Sequence, residues 1–224
     1  MEQRDYDILI FDWDGTLMDS TAWIVECMQQ GIAESGLPAR SEDAIRGIIG
    51  LGLFEAVRDL FPEAADHEVH SVCDAYRAHF FSAEGACSLF PRVEEVLEEL
   101  VSLGYWMAIA TGKSRRGLDK VLEETGLGRV FPVTRTADET LSKPNPLMLE
   151  EIITDFDSHA SRCLMIGDSL FDLQMANNAG MDALGVAWGV QGARQLQDLE
   201  PAGLIHEITE LPIWLKQSSK TRVA

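Results

Sequence analysis

An apolar run that ends on two carboxylates restricts this chain more than any other feature. Tyr6-Asp7-Ile8-Leu9-Ile10 reads as a buried parallel strand and runs straight into Phe11-Asp12-Trp13-Asp14-Gly15-Thr16-Leu17. Two acids two residues apart, followed by a glycine turn, leave the carboxyl end of a strand. In an open α/β sheet that edge is where ligands bind. A single Asp there serves an ordinary Asx-turn. Two Asp, a Gly and a Thr in this order need a further reason.

The pattern after Leu89 says what sheet this strand joins. Pro91 opens a helix with Val93, Val96, Leu97, Leu100 and Val101 inside, closed by Gly104. A strand over 105–110, a helix over 114–124 with Gly126 as its C-cap, and a short strand near 130–134 follow. Helix 146–154, strand 163–166, helix 170–179 and strand 183–186 continue the alternation. Repeated βα units predict an α/β fold with a doubly wound parallel sheet.

Between the first strand and the rest, residues 21–81 read as almost wholly helical. Ser20 is expected to cap a helix carrying Trp23, Ile24, Cys27, Met28 and Ile32 that ends near Gly36-Leu37-Pro38. Ser41 caps a second segment with Ile45, Ile48 and Ile49, which Gly50-Leu51-Gly52 breaks. Leu53, Val57 and Leu60 give a third, and Val69, Val72, Tyr76, His79 and Phe80 a fourth. Short breaks between helices predict a small bundle inserted into the core on two hinges. The expected division is a catalytic core of residues 1–18 and 88–224 and a helical cap of residues 19–87.

Three more runs fall at predicted strand ends or helix starts: Thr111-Gly112-Lys113, Lys143-Pro144-Asn145-Pro146 and Gly167-Asp168-Ser169-Leu170-Phe171-Asp172, continuing to Ala176, Ala179 and Gly180. Each residue has a plain reading by itself. Thr111 would cap a helix, Lys143 would sit in an exposed loop, and Asp168 and Asp172 would favour the start of the helix at Leu170. Together with the first run, in this order, they resemble the four motifs of the haloacid dehalogenase superfamily of phosphohydrolases, with a helical cap and a phosphoglycolate phosphatase-like layout. The resemblance spans essentially the whole chain.

The resemblance implies roles. Asp12 would be the nucleophile that forms an aspartyl-phosphate, and Asp14 the acid for the leaving alcohol and then the base for water. Thr111, Gly112 and Lys143 would hold the phosphoryl group. Asp12, the Asp14 carbonyl and Asp168 would hold Mg²⁺, with Asp172 supporting that site. Gly112 departs from the Asn that many relatives carry, and Lys113 is read equally as a substrate contact or a solvated lysine. In the cap, the Gly50–Leu53 loop and Arg46 are the substrate-binding candidates, with Arg58, Arg77 and His79 behind them.

Charge bounds the partners. Eighteen Lys and Arg against 37 Asp and Glu give a formal charge of −19, which disfavours nucleic acid and anionic membranes. A phosphate site in so acidic a chain needs its cations locally. The segment from Met1 to Asp7 is unlike a signal peptide, and no stretch reaches membrane-spanning length. Cys27, Cys73, Cys87 and Cys163 show no CxxC pairing, so reduced thiols in a cytoplasmic protein, monomer or homodimer, are expected.

Within the superfamily, Asp14 argues against dehalogenation, which needs no acid. The insert contains no lysine, which argues against a Schiff-base phosphonatase; Lys113 is the first lysine of the chain. The expected activity is hydrolysis of a small phosphomonoester, 2-phosphoglycolate or a sugar phosphate. A hexose-phosphate mutase, and a non-catalytic binding protein that retained the fold, are the alternatives.

Overall fold

A computed structural model describes residues 5–82 and 87–221. Met1–Arg4 of the Met1–Asp7 segment, residues 83–86 at the expected return from the cap, and residues 222–224 lie outside the described residues. Six strands form one parallel sheet: β1 (Ile8–Phe11), β4 (Trp106–Thr111), β5 (Val133–Thr136), β6 (Cys163–Gly167), β7 (Asp182–Val186) and β8 (Gly203–Ile205). Their order is β5-β4-β1-β6-β7-β8, so β1 lies between β4 and β6. In that register Phe11 stands beside Ile109 on one side and Ile166 on the other.

The alternation of side chains along each strand explains the two layers. Leu9 and Phe11, with Met107, Ile109, Leu164 and Ile166, enter one core. Helices α5 (Val93–Ser102), α6 (Arg115–Thr125) and α10 (Leu211–Thr221) cover it. Ile8 and Ile10, with Ala108, Ala110, Cys163 and Met165, enter the other core, under α7 (Leu147–Asp155), α8 (Leu170–Asn178) and α9 (Ala193–Gln197). Both faces of β1 are therefore buried, each large side chain contributing roughly 1.5–3 kcal/mol. That is why the strand reads as a continuous apolar run.

After β1 the chain folds back on itself. The amides of Leu17 and Met18 donate to Trp13 O, and that of Gly15 to Met18 O. Strand β2 (Met18–Asp19) then pairs antiparallel with β3 (Ser88–Leu89), a two-stranded ribbon through which the chain leaves and re-enters the core. Between them lie α1 (Thr21–Glu34), α2 (Glu42–Arg46), α3 (Leu53–Leu60) and α4 (Asp66–Phe80). These helices own a third core built on Met28, Ile32, Ile45, Val57, Val69 and Val72. Ser41 caps α2 as expected, accepting from the Ala44 amide.

Several boundaries differ from the sequence expectation. Helix α2 stops at Arg46, leaving Ile48 and Ile49 buried in the turn that carries the Ile49–Leu51 bridge. Helix α5 starts at Val93 because Arg92 takes a left-handed backbone, and β5 begins at Val133. Strand β8 and helices α9 and α10 had no counterpart in the sequence reading. The four cysteines are free, three of them buried.

Candidate active site

The register of β1 and β6 sets the carboxylates side by side. The Asp12 amide donates to Ile166 O at 2.9 Å, one rung beyond the end of β1, so its side chain emerges at the carboxyl edge of the sheet. Oxygens of Asp12, Asp168 and Asp172 lie within 4.8 Å of one another, and all three residues are buried. Lys143 is fully buried among them, its Nζ 2.8 Å from Asp12 Oδ1 and 2.6 Å from Asp172 Oδ1. The Asp172 contact is a hydrogen bond. The Asp12 contact is an ion pair, and Asp12 Oδ1 accepts no hydrogen bond among the described residues.

Neighbours hold the other two carboxylates in place. Asp168 Oδ1 accepts from the Thr16 hydroxyl at 2.8 Å and Oδ2 from the Val190 amide at 2.7 Å. A Cβ on Gly15 or Gly189 would collide with Asp168 Oδ2, so both positions exclude a side chain; Gly15 also has φ +82°. Asp172 Oδ2 accepts from the Ser169 amide and hydroxyl at 3.0 and 2.6 Å, forming a capping box at the start of α8. The plain helix-start reading of Asp172 is thus true and incomplete, because its other oxygen binds Lys143.

Burial pushes the Asp12 carboxyl up to about 7 against the pull of Lys143, and Asp172 and Asp14 add to the rise. Asp168 is raised well above the ordinary carboxylate range by burial, then by Asp12 and Asp172. Burial opposes the charge on Lys143, but Asp12 and Asp172 outweigh it and raise its pKa, so the ammonium stays charged. Fully ionised, three carboxylates beside one ammonium would carry two uncompensated negative charges, and that repulsion is part of what raises Asp12 and Asp168. The all-oxygen donor set, the free lone pairs of Asp12 Oδ1 and this charge deficit fit a divalent cation such as Mg²⁺.

Asp14 faces a different environment. Its Oδ1 accepts from the Ser20 hydroxyl at 2.5 Å, and its Oδ2 lies 3.0 Å from Lys113 Nζ. Ser20 therefore occupies the N-cap position of α1 without capping it, because its hydroxyl is committed to Asp14. Lys113 is buried, and its Nζ stands 4.8 Å from the centre of the Phe80 ring of α4. The solvated reading of Lys113 is excluded. Thr111 ends β4 and is buried; its Oγ1 accepts from the Lys113 amide at 3.3 Å, which leaves the hydroxyl proton free for a ligand. A Cβ on Gly112 would come 2.5 Å from Leu51 O and 2.6 Å from Gly50 O. Glycine at this position lets the loop before α3 rest on the sheet edge.

Above these residues is a cavity of about 570 Å³ whose lining includes Asp12, Asp14, Thr111, Gly112 and Lys113 on the sheet side and residues of α1, α3, α4 and the Gly50–Gly52 loop on the other. Arg77 also lines it, tied to Asp74 at 2.9 Å. The structure does not bring Arg46 there: its guanidinium pairs with Glu42 one turn away at 2.8 Å. Arg58 is bound to Ala64 O and Asp66, and His79 to Glu34 at 2.7 Å, and neither lines the cavity. Sequence reasoning missed Ser20, Phe80 and the Val190 amide as parts of the site. Only Ser20 carried a signal, its position six residues after Asp14.

A family model for haloacid dehalogenase-like hydrolases matches residues 9–186. A protein of Dickeya dadantii named probable phosphatase IndB is 32% identical over 209 residues, covering 91% of each chain. The phosphoglycolate phosphatase of Vibrio parahaemolyticus is 29% identical over 220 residues, covering 94% of this chain and 96% of its own. Among solved structures, a protein of Bacteroides fragilis named putative haloacid dehalogenase-like hydrolase superposes with a TM-score of 0.85 at 26% identity, covering 92% of this chain and 99% of that one.

Proposed function

Since this chain belongs to the haloacid dehalogenase-like hydrolase family, we propose that it is a Mg²⁺-dependent phosphomonoester hydrolase acting on a small phosphorylated metabolite through Asp12. The observation that carries this reading is that Asp12, paired with the charged and buried Lys143, lines the floor of a cavity that also presents Asp14 and Thr111. A phosphoryl group needs positive charge around its oxygens and a nucleophile in line with the leaving oxygen.

In this mechanism Asp12 attacks phosphorus while the ester oxygen departs, giving an aspartyl-phosphate and an alcohol. Asp14 supplies the proton that the departing oxygen takes up, then accepts one from the water that attacks the acyl phosphate. Inorganic phosphate leaves and Asp12 is regenerated. Lys143 and the Thr111 hydroxyl hold the phosphoryl oxygens, while Lys113 and Ser20 hold the Asp14 carboxyl in position. Mg²⁺, held by Asp12, Asp168 and the Asp14 carbonyl with Asp172 beside them, would offset the charge that carboxylates and phosphate bring together.

Residues 19–87 act as a cap on a core of residues 1–18 and 88–224 and keep bulk water from the intermediate. The supporting features are the β2–β3 ribbon and the separate apolar core of the bundle. The test is phosphate release from a panel of phosphomonoesters with Mg²⁺. Release by the wild type and none by Asp12→Asn is expected. A wild type inactive on every ester, or one that moves phosphate between positions of a hexose without releasing it, would overturn the reading.

A further inference from the structure

The wall of the cavity that faces the phosphoryl site is apolar and aromatic, and it is larger than a minimal substrate needs. From the helical side it is lined by Met28, Leu51, Leu53, Phe54, Tyr76 and Phe80, among others. Leu51, Leu53, Phe54, Tyr76 and Phe80 are only partly buried, so ring and aliphatic surface stays open toward the space above Asp12 and Asp14. The large apolar side chains exposed elsewhere, Val101, Trp106, Leu141 and Ile213, are not part of the cavity lining.

The charged groups of this wall are few. Arg77 is tied to Asp74, Arg46, Arg58 and His79 are paired elsewhere within the bundle, and Arg116 of α6, which also lines the cavity, stands over the Phe81 ring at 4.8 Å. Glu55 is the acid the wall adds, and it repels an anionic leaving group. A polyhydroxylated sugar placed here would lose water from its hydroxyls with few partners to replace it. A two-carbon acid ester has about nine non-hydrogen atoms. At roughly 30 Å³ for each, the share a water takes in the liquid, it fills less than half of the 570 Å³.

The rings argue for the shape of what fills the rest. Phe80 stacks on Tyr76 with centroids 5.6 Å apart and planes 23° apart, and Lys113 stands over Phe80 while also holding Asp14. This aromatic platform runs from the proposed acid into the cavity. A flat apolar ring attached to the ester oxygen through a short arm would lie against it. Resting on the phosphatase reading above, we infer that the substrate is the phosphate ester of an alcohol bearing an aromatic ring, with Phe80 the main specificity-determining residue.

The experiment compares three esters of primary alcohols, whose leaving groups share the same linkage: 2-phenylethyl phosphate, 2-phosphoglycolate and glucose 6-phosphate, each with Mg²⁺. The phenylethyl ester is expected to have a kcat/KM at least about tenfold above the others, the range a pocket contact of this size controls, chiefly through a lower KM. Phe80→Leu keeps the apolar volume and removes the ring; it is expected to shrink that preference several-fold by raising KM for the phenylethyl ester. Preferred hydrolysis of phosphoglycolate or of the hexose ester would overturn the inference and leave the phosphatase reading standing. So would a Phe80→Leu effect equal on all three esters. Hydrolysis of none of them, with generic aryl phosphates equally inert, would remove both.

Discussion

The two walls of the cavity are built on opposite principles. On the sheet edge Asp12 lines the cavity, and Lys143, Asp168 and Asp172 are buried behind it, held by short polar contacts. On the helical side the residues that face the cavity are mostly apolar, and the nearby cations are taken by acids or carbonyls of their own bundle. A preorganised polar cluster fixes charge where a reaction needs it. An apolar wall selects by shape and burial, and it does so without competing for phosphate. Under the proposed mechanism the contrast assigns rate to one wall and selectivity to the other, so substitutions should divide into kcat effects below and KM effects above.

The largest expected effect tests the lower wall. Asp12→Asn should cut turnover by about 10⁴-fold or more while the thermal melt stays cooperative, since nucleophile removal costs that order in comparable enzymes. Phosphate release under single-turnover conditions measures it. Lys143→Met should also abolish turnover, but for a reason that shows in stability. It strands two buried carboxylates and should cost about 3–5 kcal/mol by denaturant unfolding. Adding Asp172→Asn should recover part of that loss and none of the activity. A stable, active Lys143→Met would break the account of the lower wall.

Metal dependence comes next. Chelation should stop turnover, and Mg²⁺ at about one hundred times its Kd should stabilise the wild type by about 2.7 kcal/mol. Asp168→Asn should lose most of that gain. Equal stabilisation of the variant would move the metal elsewhere. Lys113→Met lies on the seam between the walls, touching Asp14 below and Phe80 above. It should lower kcat by about 10–100-fold, at or below the lower end of the roughly 10²–10⁴-fold that acid–base assistance contributes, because Asp14 itself remains. The smallest effect belongs to Arg46→Ala, which should change kcat/KM by under about twofold and stability by about 0.3–0.5 kcal/mol, the value of an exposed pair one helical turn apart.

The parts of the molecule that were legible in its sequence are those where one physical demand acts alone. Strands β1, β4 and β6 must be apolar on both faces, so they stand out as runs. Asp12 and Asp168 each follow such a strand directly, while Asp172 comes from the first turn of α8 and Lys143 from the turn before α7. Ser20 was misread because a serine before a helix satisfies two demands with one hydroxyl; capping needs only local geometry, while its bond to Asp14 depends on the fold-back at Gly15. Lys113 could not be placed because Phe80, thirty-three positions earlier, arrives through the packing of α4. The Val190 amide left no trace, since a backbone donor has no side chain to announce it. Arg46 sits near the loop that touches Gly112, but its own helix offers Glu42 at closer range.

The position of β1 between β4 and β6 also sets an order of assembly. Asp7, just before β1, is bound to Arg162, 155 residues further along the chain. Asp12 is thus made before the helical insert and finds its neighbours on β6 only after that insert, β4 and β5 have been made. Helices α1 to α4 need no such wait, because their mutual contacts are local, and local contacts form fastest. During synthesis the selecting wall would be in place before the reacting one, and a chain interrupted ahead of β6 would hold a finished wall over an edge that cannot yet do chemistry.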